Sequence, residues 1–155
     1  MADELYQLFF DATRDVFGLM LDLEHISAVA DDKQADSGSD GKVNIAIGVT
    51  GDLRGEIVYH FPKDTSLEMV KIMSGMDFSE IDDFVTSAIG EITNIISGKA
   101  LIALSEQKVS CDILPPKIVI DAPVSAAAAP SSSSTRIRTD IGEIDLDIRL
   151  QNGPA

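Results

Sequence analysis

Apolar positions recur at helical spacing from Asp3 to about Leu23, where Leu5, Leu8, Phe9, Ala12, Val16, Leu19 and Leu23 follow one another mostly at steps of three and four. The polar, glycine-bearing stretch DDKQADSGSDG, residues 31–41, breaks this pattern and reads as a loop. Val43, Ile45, Ile47 and Val49 then alternate strictly with other residues, the period of a half-buried strand. TGDLRGE supplies a turn, and Ile57 to Phe61 returns as the second strand of a hairpin. After Pro62, with Asp64 or Thr65 as candidate cap, Leu67, Val70, Ile72 and Met73 mark a helix that stops at Gly75. Ser79, with Asp82 three residues on, is a variant capping box. It opens a long helix to about Leu104, with Gly98 as its point of disturbance.

The second half of the chain is less regular. Val109 to Leu114 and Ile118 to Ile120 are strand-like, separated by Pro115 and Pro116. APVSAAAAPSSSST, residues 122–135, is a low-complexity segment expected to be a flexible loop. Ile137, Ile141, Ile144, Leu146, Ile148 and Leu150 outline a long final strand or a bent strand pair. This order predicts an α+β domain in which an antiparallel sheet packs against two long helices.

Composition narrows the function classes. With 155 residues and 45% hydrophobic content, one domain spanning 1–155 with a real core is expected. Tryptophan is absent, so aliphatic side chains must fill that core. The formal net charge is −14, which repels phosphate backbones and anionic lipids and argues against nucleic acid or a membrane surface as partner. The lone Cys111 cannot form an internal disulfide, and no CxxC or Cys/His cluster suggests a metal. The start, MADELYQLFF, lacks the basic lead of a signal peptide, and no apolar run reaches the length of a spanning helix. A cytoplasmic protein is the expectation.

Within the long helix, SAIGEITNIISG places one of the chain's three asparagines in mid-run. At about 100° per residue, Phe84, Val85, Ala88, Ile92, Ile95 and Ile96 gather on one side, expected to be the core face. Ser87, Glu91, Asn94 and Gly98 fall within an adjoining arc of roughly 60°. Asparagine there costs about half a kcal/mol against a better helix former, too little to prove a function. The stripe has two readings: a solvated helix face, or a hydroxyl, a carboxylate and an amide beside a small residue that leaves room for a partner. An amide can orient a water but cannot serve as base or nucleophile, whereas Glu91 can accept from a cation or act as a base.

These residues in their setting resemble the CheC/CheX/FliY phosphatases of bacterial chemotaxis, and most closely the single-site CheX-like branch. The resemblance covers most of the chain: the apolar N-terminal helix, the hairpin TGDLRGEIVYHFP, then KDTSLEMVKIMSGM, DDFVTSAIGEITNIISGKALIALSE and the strand ending DILPPKIVI. The family signature is Ser or Asp, three residues, Glu, two residues, Asn and a distant Pro. Ser87, Glu91 and Asn94 fit it in register, while Pro116 arrives one residue early. What the resemblance implies is a CheC-like fold and hydrolysis of the aspartyl phosphate of a CheY-type response regulator. Asn94 would enter the regulator's active site and orient the attacking water, and Glu91 would engage a lysine there. Ser87 and Gly98 would border the contact. The resemblance implies no cofactor or metal in this chain, the magnesium ion belonging to the regulator. It also implies a homodimer that joins sheets. Two-site relatives repeat Glu-x-x-Asn on the N-terminal helix. Asp3 to Leu23 holds no asparagine, so that copy is expected to be absent, although both halves begin with a long helix.

The remaining candidates have plainer readings. His25 and His60 lack a third member for a triad and read as surface or strand histidines. Cys111 in VSCDIL reads as a small buried hydrophobe, and Met69, Met73 and Met76 as core. Asp31, Asp32, Asp36 and Asp40 lack the spacing and terminal glutamate of an EF-hand, and TGDLRG lacks the Gly-Lys-Ser/Thr ending of a phosphate loop. Two rivals to the phosphatase stand beside it: a non-catalytic chemotaxis or flagellar-switch binding module on the same fold, and a structural dimer whose polar stripe is only solvated.

Overall fold

The computed structural model describes residues 2–29, 42–120 and 132–152. Along the chain these form α1 (Ala2–Leu21), β1 (Ser27–Val29), β2 (Val43–Gly51), β3 (Leu53–Phe61), α2 (Lys63–Ser74), α3 (Asp83–Glu106), β4 (Cys111–Ile113), β5 (Lys117–Ile120), β6 (Ser132–Thr139) and β7 (Gly142–Asn152). The architecture is α+β, as the hydrophobic pattern predicts. All seven strands join one sheet in the order β1-β6-β7-β3-β2-β4, with β5 also pairing β2, and every described pair is antiparallel.

Alternation gives the sheet one apolar face. Val43, Ile45, Ile47 and Val49 of β2, Ile57, Tyr59 and Phe61 of β3, and Ile144, Leu146, Ile148 and Leu150 of β7 are all buried in one cluster. Phe9, Val16 and Phe17 of α1, Met69 and Val70 of α2, and Ile89, Ile92 and Ile96 of α3 complete it. The opposite face carries Asn44, His60, Asp145, Asp147 and Arg149. The His60 ring lies 2.6 Å from Asn44 Oδ1 through Nδ1 and 3.0 Å from Asp147 Oδ2 through Nε2. Arg136, directly opposite Asp145 in the β6–β7 register, donates to its carboxylate at 3.1 Å. Slipping β2, β3, β6 or β7 by one residue would turn these polar groups toward the core, so the two faces of these strands set the same register.

One glycine is demanded by the pairing. Gly55 takes φ +141, and a Cβ there would collide with the Arg149 carbonyl of β7. The central strands meet closely because this position has no side chain. At the end of α2, Gly75 adopts the left-handed conformation and its N–H donates to the Lys71 carbonyl, the expected helix stop.

Several local expectations are corrected. Of the two readings of the final segment, the strand pair is the one found, as the hairpin β6–β7, and residues 132–135 of the expected loop lie within β6. The rest of that loop, and the loop at 31–41, lie outside the described residues. The short strand β1 is too brief to announce itself in the sequence. Pro62, with no side-chain hydrogen bond, takes the N-cap place of α2 in place of Asp64 or Thr65. Asp82 caps α3, accepting from the Val85 N–H at 2.9 Å, which leaves Ser79 outside the helix. Gly98 does not interrupt α3. Met76 is exposed beyond the Gly75 stop, and Cys111 is half-buried at the margin of the core. His60 is a strand histidine, whereas His25 is an exposed one beside Asp140. No described helix is long and apolar enough to cross a membrane.

Candidate functional site

α3 is the longest helix and presses against α1, α2 and the sheet. Its buried side is lined by Val85, Ile89, Gly90, Ile92, Thr93, Ile96, Ser97, Ala100, Leu101 and Leu104. Four of these are small or hydroxylated, and that is why apolarity alone misplaces the core face. The true centre lies roughly a quarter turn from the expected one. Phe84 and Ile95, expected in the core, are exposed at 50% and 37%, and Phe84 instead stacks on Phe78 with centroids 5.2 Å apart. Small residues at steps of three and four are the signal for close packing. A Cβ on Gly90 would come within 3.0 Å of Ile118 and 3.9 Å of Pro116, so the segment around β5 braces the helix beside Glu91. This gives Pro116 a definite place: it packs over the inner side of α3.

One buried polar contact ties this helix to the sheet. The Tyr59 hydroxyl on β3 and the Ser97 hydroxyl lie 2.9 Å apart, both fully buried. Thr93, also buried, spends its hydroxyl on the Gly90 carbonyl at 2.9 Å. A rotation of α3 about its axis would strand the Tyr59 and Ser97 hydroxyls unpaired in the core, so the contact sets the angle at which the opposite face points outward.

That outward face carries all four sequence-derived site residues. Ser87 and Glu91 are exposed, and Asn94 and Gly98 are half-buried. Among the described residues, the side chains of Ser87, Glu91 and Asn94 have no hydrogen-bond or ion-pair partner. A carboxylate and an amide therefore stand one turn apart on a rigid support, unengaged. The arrangement can accept from a cation and orient a water or an oxygen; it holds no nucleophile paired to a base.

α1 carries a second set at the same spacing: Gln7, Asp11, Arg14 and Gly18 stand to one another as Ser87, Glu91, Asn94 and Gly98 do. The inner sides correspond too, since Thr13 is buried like Thr93 and bonds the Phe9 carbonyl at 2.7 Å. The α1 set, however, is closed on itself. Gln7 donates to Asp11 Oδ1 at 2.9 Å, Arg14 to the same oxygen at 3.3 Å, and the Arg14 guanidinium lies over the Phe10 ring. An arginine stands where a second asparagine would be needed.

The family model described as chemotaxis phosphatase CheX matches residues 43–140, which hold the β2–β3 hairpin, α2, all of α3 and strands β4 to β6. The chain belongs to the CheX family. A relative from Thermotoga maritima, named CheY-P phosphatase CheX, is 38% identical over 74 residues, 47% of this chain. That match spans about half, 48%, of the relative's length. The fold is shared over nearly the whole chain with the crystal structure of the chemotaxis protein CheX from Vibrio vulnificus (TM-score 0.83, 23% identity, covering 97% of this chain and 99% of that one). It is shared as well with the CheX of a CheX-CheY-BeF3-Mg complex from Borrelia burgdorferi (TM-score 0.76, 21% identity, 95% and 97% covered).

Burial pushes the Tyr59 phenol well above the ordinary tyrosine range, while its bond to Ser97 pulls the other way. The folded protein thus holds this proton more tightly than the unfolded chain. The associated stability is fully present below the unfolded pKa of about 10 and is lost as pH rises beyond it. Tyr59→Phe is expected to cost about 1 kcal/mol near neutral pH and to flatten the alkaline loss. Denaturant melts of parent and variant, at neutral pH and above the ordinary tyrosine pKa, check this. Equal alkaline losses in the two proteins would rule out the assignment.

Proposed function

We propose that this chain accelerates hydrolysis of the aspartyl phosphate on a CheY-type response regulator in the cytoplasm. The observation that carries the reading is the unpartnered Glu91–Asn94 pair on the outward face of α3. The relative's name and the existence of a CheX-CheY complex in another organism support the choice of substrate. In the reaction, a water oxygen bonds to phosphorus as the acyl-phosphate P–O bond breaks. The regulator's aspartate leaves as a carboxylate, and inorganic phosphate and a proton are released. Asn94 holds the attacking water in line through its amide, and Glu91 fixes the docked geometry by accepting from a cation on the regulator. The regulator brings its own magnesium ion, and this chain contributes position and electrostatics, which is most of what phosphoryl transfer asks of a protein. Phosphate release from a phosphorylated regulator, with and without this chain, tests the reading. No acceleration would instead leave a binding module on the same fold.

Asn94→Ala is expected to lower the rate at saturation by about a hundredfold. Affinity for the regulator should change little, because the amide contributes little contact area. A variant as fast as the parent removes the water-orienting role.

Glu91→Ala is expected to weaken docking by about tenfold, with rate loss at subsaturating regulator following from it. Raised salt should reproduce part of the effect in the parent, since an exposed pair is screened. Unchanged affinity in titrations against a beryllofluoride-loaded regulator would remove Glu91 from the interface.

The chain is also proposed to form a homodimer by strand pairing, but through a different strand from the one the alternation suggests. Ile144 to Leu150 lies in β7, which is paired on both sides by β6 and β3. β1 covers only Arg136–Arg138 of β6, which leaves the outer backbone of Ser132–Thr135 without a described strand partner. Light scattering should give twice 16.6 kDa, unchanged by Asn94→Ala. A mass near 16.6 kDa would exclude the dimer while leaving the phosphatase reading intact.

A further inference from the structure

Part of the sheet's outer face is buried although no described element packs on it. Val58 of β3 is 0% exposed, and it forms a small apolar cluster with Ala46, its register partner on β2, and the half-buried Val119 of β5. Asn44 and Asp147, on either side, are buried too. The helices lie on the other face: their buried apolar side chains belong to the main core, and none joins this cluster. A valine on a sheet face open to water would keep part of its surface. The burial also has a direction. Asn44, Ala46, Val58 and Asp147 run obliquely across β2, β3 and β7, whereas Thr50 and Arg54 at one corner of the face and Arg138 at the opposite corner are exposed.

Chain connectivity supplies a cover along that line. β5 lies on the side of β2 away from β3 and ends at Ile120, opposite Val43. β6 starts at Ser132, opposite Arg149, which faces Glu56 and through it Gly48. β5 and β6 run in the same direction, so the stretch 121–131 must both return along the strands and cross β2, β3 and β7. The crossing is about 19 Å and the return about 17 Å, a diagonal of roughly 25 Å, and 11 residues reach about 40 Å when extended. The helices fill one face, which leaves the other. The line between the two ends passes over Asn44, then Val58 beside Ala46, then between Asp147 and Arg149, and it misses Thr50, Arg54 and Arg138.

We propose that the outer face of the sheet around Val58 and Ala46 is a docking surface for the chain's own stretch 121–131, and that this stretch is what buries them. Its composition suits the place. DAPVSAAAAPS carries one charge, at its start, and is otherwise small or apolar. Alanine and serine allow close approach to a sheet, and the prolines at 123 and 130 lack the N–H that an added strand would need. The connection 30–41 is a poorer occupant, because Asp31, Asp32, Asp36 and Asp40 would lose water over an apolar cluster. Its ends, Val29 and Lys42, also lie level with Asn44 or beyond it, away from Val58. The sheet is thus covered on both faces, and other proteins are left with α3 and the sheet's edges.

The test uses the full chain and a variant in which residues 122–131 are replaced by glycine and serine at equal length. Val58→Thr is made in each, and all four proteins are melted. In the parent, Val58→Thr is expected to lower the melting temperature by about 5 °C, since the hydroxyl enters a covered site. In the Gly/Ser chain the same substitution should cost less than half as much, because the site is wet. Cross-linking tests the contact directly and decides the matter if the Gly/Ser chain fails to fold. In a Cys111→Ser background, Val58→Cys is combined in turn with Val124→Cys, Ala126→Cys and Ala128→Cys. At least one pair should form an internal disulfide under mild oxidant, while Thr50→Cys in place of Val58→Cys should form none. Equal melting shifts in the two backgrounds, or cross-linking from Thr50→Cys as readily as from Val58→Cys, overturns the inference. A change of mass in light scattering on Val58→Thr assigns the face to a second copy, which also overturns it.

Discussion

The angle of α3 about its own axis is the constraint on which the rest of the molecule's chemistry depends. A helix offers two faces, and rotating one moves the other by the same amount. Here the inner face is built from Gly90, Thr93, Ser97 and Ala100 as well as isoleucines, so the helix sits close to its neighbours and cannot roll without collision. The buried Tyr59–Ser97 hydrogen bond adds direction to that fit. Apolar contacts alone tolerate a small rotation, whereas a buried hydroxyl pair at 2.9 Å does not. Glu91 and Asn94 inherit their outward aim from residues on the opposite side of the same helix.

The sheet supports this arrangement by being over-determined. Its inner face is aliphatic, and its outer face is held by cross-strand pairs among His60, Asn44, Asp147, Asp145 and Arg136. Each surface strand pair contributes modestly in water, but Asp147 and Asn44 are largely buried and would be costly to leave unmatched. Two independent faces therefore favour one register, and Tyr59 on β3 is presented to Ser97 at a defined height. The path from sequence to site runs through the alternation of β3, since moving it by one residue would turn Tyr59 out of the core.

Much of this was legible in the chain because period and chemistry agree there. The stop at Gly75 and the stripe Ser87, Glu91, Asn94 and Gly98 are found where spacing puts them, and so is the β2–β3 hairpin, except that its turn is tighter than TGDLRGE suggests, with β2 running to Gly51 and β3 starting at Leu53. The inner face of α3 was not legible by the same rule, because close packing favours small and hydroxylated residues that a hydrophobic count scores as neutral. Apolarity alone puts Phe84 and Ile95 in the core, and their exposure follows from a demand that this helix's own periodicity does not express. β1 and the early start of β6 at Ser132 are not legible for another reason. Short strands owe their existence to a neighbour's edge rather than to their own residues. The role of Pro116, packed over Gly90, likewise needs the fold to bring a distant segment onto the helix.

α1 and α3 carry similar polar sets that differ in whether they are closed on themselves. Both helices bury a threonine at the same place in the pattern and turn a polar set outward at the same spacing. On α1 the carboxylate of Asp11 already accepts from Gln7 and Arg14, and any partner would have to break those bonds before gaining its own. On α3 the carboxylate and the amide have no partner among the described residues to give up. Asparagine and arginine also differ in kind: an amide both donates and accepts and can therefore orient a water, while a guanidinium only donates. The fold provides two similar platforms, and the choice of three side chains, together with whether they satisfy one another, decides which of them leaves its polar groups open to a partner.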